Sequence, residues 1–174
     1  MTRYSATGTL LLTLLVAGTA GAADDLGLVE AARSQDPSKI RSLIDRKADV
    51  NARSGDGSTA LLWAAHWNDV ATAELLIRAR ADANVANDFG MTALSRACTN
   101  GSAPLVDLLL KAGANPNTPI ATGETPLMTC AGSGSVDAVR LLIARGANVN
   151  AKEPSQNQSA LMWAAAERQA DVGC

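Results

Sequence analysis

Apolar residues fall along this chain in paired clusters separated by polar breaks. The first cluster of each pair mixes Leu with small residues, as in Leu61, Ala64 and Ala65. That spacing lies on one face of a helix, and the small side chains let neighbouring helices approach closely. The second cluster is richer in large residues: Leu75 to Ile77, Leu108 to Leu110 and Leu141 to Ile143. Breaks at Asn68, Gly101 and Gly134 separate the two clusters. Arg80, Gly113 and Gly146 close the second, at the position past a helix end where Gly is preferred. Six residues then lead from Asn51, Asn84 or Asn117 to the next Gly, enough for a hairpin-like extension and too few for a helix. The pattern predicts a unit of helix, turn, helix and extended tip, with the second helices packed under the first.

The unit repeats. Ala48, Ala81, Ala114 and Ala147 open the segments ADVN, ADAN, ANPN and ANVN at steps of 33 residues. A second motif keeps the same step: GSTALLWAA from Gly57, GMTALSRAC from Gly90 and GETPLMTCA from Gly123. A degenerate copy, NQSALMWAA from Asn157, follows after 34, so one residue is inserted near Pro154. Each Gly suits a tight turn, and Thr59, Thr92, Thr125 and Ser159 are placed to cap the helix that follows. Pro126 stands at a first helical position, where its missing N–H costs nothing.

The G-x-T-A/P-L-x-x-A-A run, followed by L-L-I/L and A-D/N-x-N, resembles the ankyrin repeat over about residues 26–174. Tetratricopeptide repeats share the length but lack the regular Gly turn and the Asn-ended segment. The resemblance implies an all-α solenoid of helix-turn-helix units with short β-hairpin-like tips. It divides the chain into units at about 26–53, 54–86, 87–119, 120–152 and an incomplete 153–174. The first unit lacks the Gly-x-Thr turn and reads as a capping repeat, with Asp24 or Asp25 as its helix cap. The last stops before a second helix and leaves Leu161 and Ala165 on an open face, so the sequence reads as a fragment of a longer chain. Ankyrin repeats usually carry His after the Leu of the T-P-L motif. Here Leu62, Ser95, Met128 and Met162 stand there, and the hydrogen bonds of that His must be made otherwise or not at all.

The amino terminus departs from the repeat. Arg3, the apolar run Leu10 to Ala17, and Ala20, Gly21, Ala22 have the order of a secretory signal peptide over residues 1–22, cleaved before Ala23. The run is too short for a membrane span, which needs ~20 apolar residues. This points to a periplasmic or secreted protein that leaves the membrane once the leader is removed.

Composition sharpens the picture. With 47% hydrophobic and only 3% aromatic residues, the chain carries enough apolar matter to fold, with helices meeting through Ala and Leu. A net charge of −2 argues against a nucleic-acid backbone or an anionic membrane as partner. His66 is the only histidine and the only possible centre of a hydrolytic triad; its place at a helix end reads as a contact residue instead. Ligand spacing for zinc is lacking. Gly132 to Ser135 resembles a phosphate loop only superficially, because no Lys follows. Neither a catalytic residue nor a cofactor is expected.

Cys98 and Cys130 fall in register with alanines. Stacked helices lie about 8–10 Å apart, whereas a cystine needs Cα atoms within about 7 Å. On that comparison both are expected to be buried free thiols. Trp63, Arg96, Thr129 and Trp163 share one position in successive units, and two readings stay open for Arg96: stacking over Trp63, or reaching past it to solvent.

In ankyrin proteins the tips and the ends of the first helices line a concave face. By register that face includes Asp56, Ser58, His66, Trp67, Asp88, Phe89, Met91, Asn100, Thr122 and Glu124, with Ser133 continuing the row. Trp67 and Phe89 are either anchors of an interface or isolated exposed aromatics. The resemblance implies a monomeric module that binds a protein. The alternative is the regulatory or targeting portion of a larger exported enzyme.

Overall fold

The computed structural model describes the backbone of residues 20–170 and the side chains of residues 24–166. The expected leader, residues 1–22, lies almost wholly outside them, as does Cys174. Among the described residues there are nine helices and no strands. They form four pairs, α1 (Ala20–Arg33) with α2 (Pro37–Asp45), α3 (Ala60–His66) with α4 (Val70–Arg78), α5 (Ala93–Thr99) with α6 (Ala103–Lys111), and α7 (Pro126–Gly132) with α8 (Val136–Ala144). The ninth, α9 (Ala160–Ala170), has no second helix beside it among the described residues. First helices stack in order α1, α3, α5, α7, α9, and second helices stack α4, α6, α8.

Local chemistry sets the helix starts. Thr59, Thr92 and Thr125 accept from the backbone N–H of Leu62, Ser95 and Met128 at 3.2, 3.2 and 3.4 Å. Where the repeat usually has His, Ser95 Oγ accepts from Thr92 N–H at 2.8 Å and Met128 Sδ from Thr125 N–H at 3.5 Å. These residues supply the bonds that the missing His would otherwise make. At Ser159 the N–H three residues on, that of Met162, bonds to the main-chain carbonyl at 3.0 Å, where its counterparts bond to the Thr hydroxyl. The breaks between and after helices turn through left-handed residues, among them Asn68, Gly101 and Gly134, then Arg80, Gly113 and Gly146.

Leu61, Leu94, Leu76, Leu105, Leu109 and Leu142 are fully buried between the two helix layers, with Ala64, Ala65 and Ala97 where first helices meet. The Asn that ends each A-D/N-x-N segment ties one unit to the next. Oδ1 of Asn51, Asn84 and Asn117 accepts from the N–H of Asp82, Asn115 and Asn148 at 2.8, 2.8 and 2.7 Å. Nδ2 of Asn84 and Asn117 donates to the carbonyls of Gly113 and Gly146 at 3.0 Å each. The side-chain amide thus satisfies backbone groups that neither helix can reach.

Two expectations are corrected. Asp24 and Asp25 lie inside α1 rather than before it, and both reach forward: Asp24 pairs with Arg46 at 2.5 Å and Asp25 accepts from Asp49 N–H at 2.6 Å. Asp25 performs for the first unit what Oδ1 of the Asn residues does later. Cys98 and Cys130 are not free thiols but a buried disulfide joining α5 to α7, with Cα atoms 4.4 Å apart. The expectation had compared a separation of helix axes with a separation of Cα atoms. Each Cα stands about 2.3 Å off its axis, so facing Cα atoms on helices packed 8–10 Å apart come within about 4–5 Å when small residues line the contact.

Candidate protein-binding face

The tips are tight turns rather than paired strands. Ser54, Asn87 and Ile120 donate their N–H to the carbonyls of Ser58, Met91 and Glu124 at 2.9, 3.0 and 3.0 Å. Successive tips are also joined to each other, Asp88 N–H to Asp56 carbonyl at 3.1 Å and Ala121 N–H to Phe89 carbonyl at 3.0 Å. The row of tips is therefore one hydrogen-bonded edge. Gly90 sits where it must, at φ +72° with Ala121 N 2.8 Å from where a Cβ would lie.

Beside this edge, against the first helices α3 and α5, lies a cleft of about 220 Å³ lined by Asp56, Ser58, Leu62, Trp63, His66, Asn87, Phe89 and Arg96. Phe89 projects from its tip, 66% exposed. His66 makes edge-on contact with Trp63 and Trp67, ring centres 5.4 and 4.7 Å apart. Arg96 Nε is buried with no hydrogen-bond partner among the described residues. The guanidinium as a whole carries five donors, and the Arg96 side chain forms part of the cleft wall. Asp56 accepts from the Ser54 hydroxyl at 2.5 Å, and from Ser58 N–H and hydroxyl at 3.2 and 2.9 Å. The Ser54 hydroxyl first, then the Ser58 groups, hold its carboxyl below the usual range, so it stays charged.

Of the residues expected on this face, Asp56, Ser58, His66 and Phe89 meet in the cleft. Ser58 is buried, at 3% exposure, and serves Asp56 rather than open solvent. Asp88 is exposed on the same tip as Phe89, with its carboxylate 3.9 Å from Arg53. Met91 is half-buried, and its sulfur accepts from the Ser95 hydroxyl at 3.1 Å. Asn100 staples the ends of two first helices, donating to the Ala65 carbonyl at 2.9 Å. Trp67 stands outside the cleft and donates through Nε1 to the Arg33 carbonyl at 3.1 Å. Thr122 and Glu124 lie one tip further along, and Ser133 lines a different groove beside α7 and α8. Stacking of Arg96 on Trp63 gives way to another arrangement: Arg33, from the preceding unit, lies over that ring at 5.5 Å. Trp63 and Arg96 had the register of the row as their signal. Asn87 had none, because its amide acts through local turn bonds to Phe89 and Met91 N–H that only the folded tip creates.

Helix pairs stacked in register, with tips joined along one edge, define a repeat solenoid that offers an extended face. The family model for ankyrin repeats, in three copies, matches residues 28–120 and 117–173. The chain belongs to the ankyrin-repeat family, whose repeats are protein–protein interaction modules. No curated protein matches the sequence.

Proposed function

We propose that this chain is a non-catalytic module that works outside the cytoplasm as a single chain and binds a protein across the cleft between its second and third tips. One observation carries the reading: Trp63, His66, Phe89 and Arg96 line one recess beside the joined tips. Aromatic and Arg side chains in a partly desolvated recess are the usual anchors of protein interfaces. His66 serves here as an aromatic contact. The partner surface that fits is an apolar side chain beside a hydrogen-bond acceptor. Asp88, Met91, Thr122 and Glu124 extend the contact along the edge, and Trp67 and Asn100 flank it at the ends of the first helices.

Two features support export. The leader pattern of residues 1–22 is one, and the cystine between Cys98 and Cys130 is the other, since such bonds persist in oxidising compartments. The net charge of −2 offers nothing to a nucleic acid, and no helix among the described residues is long and apolar enough to cross a membrane.

Affinity capture from a periplasmic extract, using the chain from Ala23 onward, tests the reading. A protein retained by the native chain should be lost with Phe89→Ala and Arg96→Ala combined. Equal retention by both chains would remove the cleft from the account.

A further inference from the structure

Asn100 is followed by Gly101, and no other Asn in the chain precedes a Gly. That dipeptide carries chemistry of its own. The carbon of an Asn side-chain amide is an electrophile within reach of the next backbone nitrogen, and a following Gly has no Cβ to obstruct the approach. The fold blocks this at three points. Asn100 ends α5 at ψ −5°, an angle that turns Gly101 N away from the Asn100 side chain, so a five-membered ring cannot close without rotating the backbone. Gly101 N–H is itself bonded to the Cys98 carbonyl at 3.0 Å. The Asn100 amide is held across the unit boundary, donating to the carbonyls of Ala65 and His66 at 2.9 and 3.3 Å. The same place in the preceding unit is Trp67, whose Nε1 likewise reaches back, to the Arg33 carbonyl at 3.1 Å. In the following unit it is Ser133, which bonds within its own helix to the Cys130 carbonyl at 3.0 Å. Only Asn100 joins two units through a side chain that converts with no reactant but water.

We propose that Asn100 is a spontaneous modification site, closed while the second and third units are joined and exposed to reaction when their junction opens. In the open state Gly101 N attacks Cγ of Asn100. The N–Cγ bond forms, the Cγ–Nδ2 bond breaks, and ammonia leaves with the proton from Gly101 N. Water then adds to either carbonyl of the resulting succinimide and breaks its bond to Gly101 N, leaving an aspartyl or isoaspartyl residue at position 100. The product cannot remake the staple. A carboxylate has no N–H to donate, and it stands against two carbonyl oxygens at the end of α3 while ending α5, where the helix dipole disfavours negative charge. Each opening that ends in reaction is therefore permanent, and it leaves the junction beside His66 and Trp67 weaker.

The test holds the native chain, and the same chain unfolded in guanidinium chloride, at one neutral pH and temperature. After digestion, mass analysis follows the conversion of amide to acid at each Asn. In the unfolded chain conversion should be fastest at Asn100. In the native chain it should be at least about tenfold slower there, because reaction then waits on local opening. Asn100→Asp, which installs the product, should unfold at a lower urea concentration than the native chain. Equal rates at Asn100 in the folded and unfolded chains would overturn the gate, and a rate no higher than at other Asn residues of the unfolded chain would overturn the site. An unchanged urea midpoint for Asn100→Asp would overturn the loss of the staple.

Discussion

Leu94 and Leu127 are only 1% and 3% exposed, while Leu161, at the same place in the next unit, is 79% exposed. The contrast extends to the second helices: Leu110 is 5% exposed in α6, and its counterpart Ile143 in α8 is 48% exposed. Sequence is not the difference, since each pair carries the same or a similar side chain. The neighbour is. A repeat stack is nearly one-dimensional, and the core of each unit is completed by helices on both sides of it. Where no second helix follows among the described residues, residues with the identity of a core stand at the surface.

Several substitutions would sharpen or break that comparison. The largest effect should come from Leu127→Ala, which opens a cavity inside the stack and costs about 2–5 kcal/mol. Leu161→Ala should shift stability by less than about 0.5 kcal/mol. Urea unfolding of the two variants measures both, and equal losses would mean that α9 is packed as tightly as α7.

Reducing the cystine, or replacing Cys98 and Cys130 together by Ala, should come next. The bond closes a loop between residues 32 apart in sequence, worth about 3–4 kcal/mol by the chain-entropy argument. Thermal unfolding with and without reductant reads this, and mass analysis of the unreduced chain would expose two free thiols if the bond is absent.

Smaller again is Gly123→Ala. Gly123 turns at φ +92° with its missing Cβ directed into the Pro154 ring, whereas Gly134, at φ +72°, faces open space. Gly134→Ala should cost about 1 kcal/mol for the backbone alone, and Gly123→Ala about 1–3 kcal/mol. Indistinguishable losses would deny the contact between the fourth and fifth tips.

The fifth tip also differs in its response to acid. Glu153 is buried there and accepts from the Ser155 hydroxyl and from the N–H groups of Ser155, Gln156 and Gln158. The Ser155 hydroxyl foremost, with these amides, pulls its carboxyl from 4.5 down to about 2. A pKa lowered by folding contributes stability that is complete above the unfolded value and is lost as pH falls from about 4.5 toward 2. The protection of amides at this tip, relative to their intrinsic exchange at each pH, should fall across that window, and Glu153→Gln should abolish the dependence. The inner tips lack this carboxylate cage and should respond less, although Asp56 gives the second tip a weaker dependence of the same sign.

Much of this was written in the sequence. The step of 33 residues, the Thr caps and the left-handed breaks are local or periodic properties, and those features are legible in any chain that repeats itself. What the sequence hid depends on distances between units. The cystine was hidden because facing Cα atoms on packed helices lie well inside the distance between the helix axes. The forward reach of Asp25, and the role of Asn51, Asn84 and Asn117 between units, were hidden because side-chain hydrogen bonds across about thirty residues leave no periodic trace beyond the residue itself. On the concave side, register placed Asp56, His66 and Phe89 near one another but could not show that Asn100 and Ser58 spend their polar atoms inside the protein.

Native-state hydrogen exchange, resolved along the chain, measures the central difference most directly. Amides of α5 and α7, enclosed by neighbours on both sides and joined by the cystine, should exchange slowest, and those of α9 markedly faster. Protection in α9 equal to that in α7 would show that the end of the stack is as complete as its middle, and the account would be wrong.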